Sequence, residues 1–104
     1  MAQGDLTKEI EYDKIEVVST WNIQVRKATK VMEEQADGSK KELTRSFHRH
    51  VLQPFNSVKG GDTWTHTATD LSGEDASVKA IAEAAWTDDV KTAHKTFMES
   101  QTIL

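Results

Sequence analysis

The chain has 104 residues, of which 37% are hydrophobic and 29% are charged; its formal net charge is −4 and it contains no cysteine. This length predicts one domain with a modest core, the acidic balance argues against a nucleic-acid-binding protein, and the lack of cysteine excludes disulfides and thiolate metal sites. No apolar run approaches the ~18 residues that cross a membrane, and the first 14 residues lack the apolar core of a signal peptide, so we expect folding in the cytoplasm and no membrane partner.

We divide the single domain, residues 1–104, into three parts. Residues 1–13 are polar and mixed in charge, which fits either a frayed terminus or an arm that becomes ordered on a neighbouring subunit. Residues 14–69 are β-rich, with a protruding hairpin, and residues 70–104 are helical. The predicted class is α+β: a long antiparallel hairpin and a third strand, with two short C-terminal helices packed on one face.

The first strand is predicted over residues 15–33, because apolar and polar side chains alternate there, as at Trp21, Ile23 and Val25. A strand of that length spans ~60 Å at ~3.3 Å per residue, about twice the diameter of a compact domain of this size. The distal half of the hairpin has few apolar residues. We therefore expect it to project as an arm; the alternative is a bend or bulge that divides the strand into two of ordinary length.

The hairpin turn is predicted at Asp-Gly, residues 37 and 38, which lies between two alternating runs. A three-residue loop with Gly38 in the left-handed conformation places the apolar residues of both strands on one side of the hairpin. The resulting register pairs Val31 with Leu43 and Ile23 with Val51.

A third strand is predicted over residues 63–69, which alternate again and direct Trp64 toward the core. The second strand of the hairpin is predicted over residues 42–52. Pro54 ends it, because proline cannot donate to the ladder. Residues 56–62 contain two adjacent glycines and are predicted to form a loop. The third strand is expected to run antiparallel to the second.

Two helices follow, and each has a recognisable N-cap. Ser72 is the predicted cap of the first helix, which Trp86 closes, and Thr87, followed by two aspartates, is the predicted cap of the second. The spacing of apolar residues gives each helix one apolar face: Val78, Ile81, Ala82 and Ala85 in the first, and Val90, Ala93, Phe97 and Met98 in the second. The predicted core contains Trp21, Ile23, Val25, Val51, Trp64, Val78, Ile81, Trp86, Val90 and Phe97.

The histidines are the first place to look for chemistry. His48 and His50 share one face of a strand at a spacing that suits a metal, and His66 could join them. The predicted register places the pair on the polar face beside Arg26, a cation that disfavours a metal, and His94 is expected at the flank of the second helix. The chain has no nucleophile elbow and no phosphate-binding glycine loop. We therefore expect no metal, no cofactor and no enzymatic activity.

Basic residues of the hairpin form the candidate assembly surface: Arg26, Lys27, Lys30, Lys40, Lys41, Arg45 and Arg49. Acidic residues alternate with them near the turn. The set is therefore either an ordinary solvated surface or a docking surface for an acidic partner.

The segments STWNIQVRKATKV and DLSGEDASVKAIAEAAWTDDVKTAH, which lie on either side of the predicted hairpin turn, resemble small structural proteins of tailed bacteriophages. The resemblance covers most of residues 15–97. It implies a non-enzymatic virion component of the tail, the neck or a fibre-attachment point, present in symmetric copies and in contact with itself and other virion proteins. It brings no catalytic or ligand-binding residues.

The alternative function is a small soluble binding or inhibitor module that captures a protein partner by its exposed hairpin edge, through β-augmentation. The two functions differ in stoichiometry. An assembly protein forms closed symmetric oligomers, whereas a binding module is monomeric until its partner arrives.

Overall fold

The computed structural model describes residues 3–101, which form five strands and two helices. The elements in chain order are β1 (Leu6–Val18), β2 (Asn22–Glu34), β3 (Lys40–Leu52), β4 (Phe55–Gly60), β5 (Thr63–Ala68), α1 (Ala76–Ala85) and α2 (Asp88–Glu99). Strands β1, β2 and β3 make an antiparallel sheet in that order, and β4 and β5 make a separate hairpin. The predicted α+β class, with two C-terminal helices, is confirmed.

The chain has two long strands where the sequence predicted one. Ser19 and Thr20 have φ of 54° and 78°, a left-handed backbone that reverses the chain and pairs Val18 with Asn22. The prediction of a single strand over residues 15–33 is therefore wrong. Residues 6–13 belong to β1 and pair with β2, so they are neither frayed nor a separate arm.

A β-bulge at Asp13 shifts the pairing of β1 with β2 by one residue. Ile10 and Tyr12 precede the bulge at even positions, and Ile15 and Val17 follow it at odd positions. All four oppose odd-numbered residues of β2, so they lie on one side of the sheet. The bulge thus gives β1 a single apolar face in spite of its change of parity.

The β2–β3 turn matches the prediction, but the register beyond it does not. The Gln35 amide donates to the Ser39 carbonyl over 2.7 Å, and Gly38 has φ of 88°, as the three-residue loop requires. A second bulge follows at Leu43, so Val31 opposes Thr44 instead of Leu43. The same shift pairs Ile23 with Leu52 instead of Val51 and reverses the two faces of β3.

The two sides of the three-stranded sheet differ in what covers them. We call the side that carries Ile23 and Val25, against which α1 packs, the covered face, and the side that carries Arg26 and Ala28 the open face. Through the Leu43 bulge, the covered face receives the even-numbered residues of β3 from residue 44 to residue 52, and the open face receives the odd-numbered ones.

The β4–β5 hairpin corrects the prediction for the middle of the chain. Residues 56–62 were expected to be a loop, but Phe55 opposes Ala68 and Gly60 opposes Thr63, with Gly61 at φ of 63° in the turn. The third predicted strand is thus present as β5, paired with β4 and not with β3. The sequence did not predict β4 because its residues are mostly polar or small.

The core is small and lies at one end of the sheet. Its buried members are Ile23, Val25, Val78, Ala82 and Trp86. Around them pack Tyr12, Ile15, Trp21, Leu52, Leu71, Ile81, Ala85 and Val90. The Trp86 indole donates to the Trp21 carbonyl over 2.8 Å and so joins α1 to the start of β2.

Three members of the predicted core lie elsewhere. Val51 and Phe97 are 56% and 46% exposed, so their placement in the core is wrong. The shifted register directs Val51 to the open face, and on α2 the buried position belongs to His94. Trp64 is half-buried and stacks on His66 with the ring planes 5° apart.

The described chain is elongated, with principal extents of 65 × 28 × 22 Å and a radius of gyration of 19.6 Å, against ~13 Å for a compact domain of this size. Tyr12 is the core-lining residue of β1 nearest to the far end of the sheet. Beyond it, residues 6–11, 29–34 and 40–46 form what we call the arm. Leu6 and Ile10, in the arm, are 62% and 55% exposed. The arm therefore projects from the core, and it has three strands instead of two.

Of the two predicted helix N-caps, one is confirmed and the other is wrong. Thr87 caps α2 by accepting from the Val90 amide, with Asp88 in the first turn. The cap of α1 is Asp75, whose carboxylate accepts from the Ser77 amide, and not Ser72. None of the helices within residues 3–101 is both long and apolar enough to cross a lipid bilayer.

We predict that Asp75→Ala and Thr87→Ala each lower the free energy of unfolding by about 1 kcal/mol, because each leaves a first-turn amide without its acceptor. Chemical denaturation measures both values. Ser72→Ala is the control and should have a much smaller effect. A loss for Ser72→Ala equal to that for Asp75→Ala would contradict this assignment of the cap.

Candidate assembly surface

The structure brings four of the seven predicted surface residues together. Arg26 opposes Arg49, and Lys30 opposes Arg45, all on the open face. Lys27 lies on the covered face, between Tyr12 and His48. Lys40 and Lys41 lie near the turn, where they oppose Glu34 and Glu33. The candidate assembly surface is therefore divided between the two faces and the tip of the arm.

Phe47 is the centre of an arginine cluster on the open face, and its role was not predicted. Its ring lies under three guanidinium groups, with centroid distances of 4.5 Å to Arg26, 5.7 Å to Arg49 and 6.0 Å to Arg45. The side chain is nevertheless 44% exposed. Aromatic and arginine side chains are enriched at the centres of protein interfaces, so this cluster has the composition of a contact surface.

Asp13 holds one of these arginines in place. The Arg26 Nε and Nη2 atoms donate to the two carboxylate oxygens of Asp13 over 2.9 and 2.8 Å. These hydrogen bonds, with the charge of Arg26, keep the pKa of Asp13 below its usual range. The Asp13 side chain is only 12% exposed. The β-bulge thus places a shielded carboxylate where it fixes the guanidinium over Phe47.

The other charges of the open face are arranged in columns. Arg45 pairs with Glu42 over 2.7 Å, and Lys30 with Glu11 over 2.9 Å. Most of the acidic residues lie on β1, whereas Arg26 and Lys30 lie on β2 and Arg45 and Arg49 lie on β3. Arg49 takes part in no ion pair among residues 3–101. The chemistry that the open face offers is recognition, by guanidinium donors, carboxylate acceptors and one aromatic ring.

The strand histidines lie on the covered face, contrary to the prediction that placed them beside Arg26. His50 opposes Val25, and its Nε2 atom is 2.8 Å from a Glu74 carboxylate oxygen. His66 does not join His48 and His50. Its ring nitrogens bond the Ser57 hydroxyl and the Glu99 carboxylate, over 2.7 and 2.6 Å. No cluster of three or more metal-binding side chains occurs within the described residues.

His94 is fully buried, whereas the sequence placed it at the flank of α2. Its ring stacks on Phe55 at 6.0 Å and meets Trp21 edge-on at 5.4 Å. Neither ring nitrogen has a hydrogen-bond partner among the described residues. Burial lowers the pKa of His94, and the charge of His66 lowers it further. The residue is therefore a neutral packing group that joins α2 to β4.

We predict that Asp13→Asn weakens the acid dependence of stability. Because the pKa of Asp13 is lower in the folded chain, its carboxylate stabilises the fold at pH values above the usual pKa of aspartate. This contribution is lost as the pH falls through the lower pKa of the folded chain. The variant should therefore show a shallower fall in unfolding free energy between about pH 5 and pH 2. Asp62→Asn, in the exposed β4–β5 turn, is the matched control. Parallel curves for Asp13→Asn and wild type would contradict the role of the pair.

We predict a second pH effect at His94. A lowered histidine pKa means that the unfolded chain binds the proton more tightly, so stability is full above about pH 6.5 and falls as pH drops toward the folded pKa. His94→Leu should reduce the slope of unfolding free energy against pH between about pH 7 and pH 5. His48→Gln, on the exposed strand β3, should retain the wild-type slope. The slope is measured, not the absolute stability, because the leucine also changes the packing.

No protein-family model, no curated protein and no solved structure matches the chain.

Proposed function

We propose that this protein is a non-enzymatic structural component of a tailed-phage virion that assembles in symmetric copies through its arm. The observation that carries the proposal is the arm itself, which extends beyond the core with apolar side chains in solvent. The virion setting, in the tail, the neck or a fibre-attachment region, comes from the sequence resemblance. The expected partners are copies of this chain and other virion proteins.

The energetics of the arm support a role in assembly. Burying apolar surface yields about 25 cal/mol per Å², and the arm leaves Leu6, Ile10 and Leu43 from 47% to 62% exposed. An isolated two-stranded hairpin is only marginally stable in water, and a three-stranded ribbon depends on an apolar face or a packed layer for its stability. A second chain against the arm supplies the missing layer and stabilises the ribbon.

The binding-module function has one observation in its favour. β3 is an edge strand of the sheet, and its residues 40–49 are all exposed. An extended segment of another protein can add to such an edge by main-chain hydrogen bonds. The two functions give different masses in solution, because a binding module stays monomeric without its partner.

We predict that a shortened arm leaves a folded subunit that no longer assembles. The variant lacks residues 1–9, and an Asn-Gly turn replaces residues 30–45. Thr29 and Ser46 are directly opposed in the sheet, so a two-residue turn joins them without a change of register. All core residues are retained. Light scattering after gel filtration gives the mass, and thermal unfolding shows whether the subunit folds.

The outcomes separate the alternatives. A folded monomer derived from an oligomeric wild type supports the proposal. A variant that does not fold makes the arm part of the folding unit and removes this argument for assembly. A variant that still forms the wild-type oligomer places the contact elsewhere, and a monomeric wild type favours the binding module.

A further inference from the structure

We propose that the open face of the β1–β3 sheet packs against the open face of a second copy, about a two-fold axis that runs parallel to the strands. This inference rests on the proposed function and names the surface and the partner. Three features of the open face carry it: the arrangement of its charges, its area and its exposed apolar side chains.

Charge is distributed across the sheet with opposite signs on the two outer strands. Each open-face residue of β2 has a β1 neighbour on one side and a β3 neighbour on the other. Lys30 lies between Glu9 and Arg45, Ala28 between Glu11 and Phe47, Arg26 between Lys14 and Arg49, and Gln24 between Glu16 and Val51, with the β1 residue named first in each pair. With Asp13 in the bulge, β1 therefore presents four carboxylates and one amine, and β3 presents only cations and apolar groups over this length.

This distribution selects one of the two-fold arrangements. When two sheets pack face to face, an axis parallel to the strands places β1 of each copy over β3 of the other. An axis across the strands places β1 over β1 and β3 over β3, which sets like charges against each other. The parallel axis also keeps residues at the same height in the sheet opposite one another, so Glu9 of one copy lies over Arg45 of the other.

Charges across such an interface are close enough to interact. Packed sheets lie ~10 Å apart with their strands ~30° from parallel, and long side chains of both sheets span that gap. Opposite charges then attract within about one Debye length at physiological salt. Glu9, which takes part in no ion pair among residues 3–101, gains Arg45 of the other copy as a partner of opposite sign. Arg49 lies over Lys14, whose charge is already paired with Glu16.

The area is sufficient for a specific contact. A sheet of three 13-residue strands measures ~43 × 14 Å, which gives ~600 Å² per copy and ~1,200 Å² in total, at the lower end of stable interfaces. Phe47 and Val51, which are 44% and 56% exposed, provide the apolar surface of the contact. They lie on β3, so each Phe47 ring packs beside the axis, over Glu11 of the other copy.

Charge reversal tests the arrangement. The variants are Glu9→Arg and Arg45→Glu, and sedimentation gives the dissociation constant of each alone and of the equimolar mixture. Each variant alone places two repulsive pairs in the dimer and should weaken it at least tenfold. The mixture restores two attractive pairs and should recover most of the affinity. Lys8→Glu, on the covered face of the same arm, is the control for the change in charge and should leave the affinity unchanged.

Every outcome decides one of the two proposals. A wild type that is monomeric at all concentrations overturns the proposed assembly function and this interface with it. An oligomeric wild type that tolerates both reversals overturns only the interface, and so does an odd number of copies, because a two-fold contact pairs subunits. Arg45→Glu could fail to fold because the new glutamate is repelled by Glu42. In that case Glu9→Arg and Phe47→Ala decide the question, because each should weaken the dimer.

Discussion

Two β-bulges, at Asp13 and Leu43, decide which side of the sheet the residues of the outer strands occupy. Because side chains alternate along a strand, one extra residue exchanges the two faces for everything beyond it. In β1 the exchange keeps Ile10, Tyr12, Ile15 and Val17 on the helix side. In β3 it takes Phe47 away from the helices and turns His50 toward them. The small core and the arginine cluster of the open face are two results of the same pair of insertions.

The arm also has features that limit indiscriminate contact. Both edge strands of the sheet carry a bulge, and six of the 13 residues of β1 and five of the 13 residues of β3 are charged. Bulges and charges on edge strands are the usual protection against unspecific strand pairing. A sheet that is protected at its edges and carries exposed apolar side chains on its faces is suited to a face-to-face contact. The same protection weakens the argument for β-augmentation on β3.

Local signals in the sequence were sufficient to predict the α+β class, both helices, the turn at Gly38 and the cap at Thr87. Each of these depends on residues that are close in the chain. The register was not predictable in the same way, because nothing in the residues around Leu43 marks a bulge. The bulge at Asp13 did leave a signal, a change of parity between two apolar alternations within residues 6–18, but the polar composition around it hid the strand. Since the open-face cluster depends on both bulges, the sequence could supply its arginines but not its central ring.

The bond between the Trp86 indole and the Trp21 carbonyl joins residues that are 65 positions apart. A ribosome adds ~5–20 residues per second, so ~3–13 s separate the synthesis of the two. During this interval the three long strands, which are sequential neighbours and need no later residue to pair, can already form their sheet. The side of this sheet that α1 covers in the folded protein stays exposed until α1 has been synthesised. The nascent chain therefore exposes Ile23 and Val25 to chaperones or to neighbouring nascent chains throughout this interval, and the last third of the protein acts as the cover that ends this exposure.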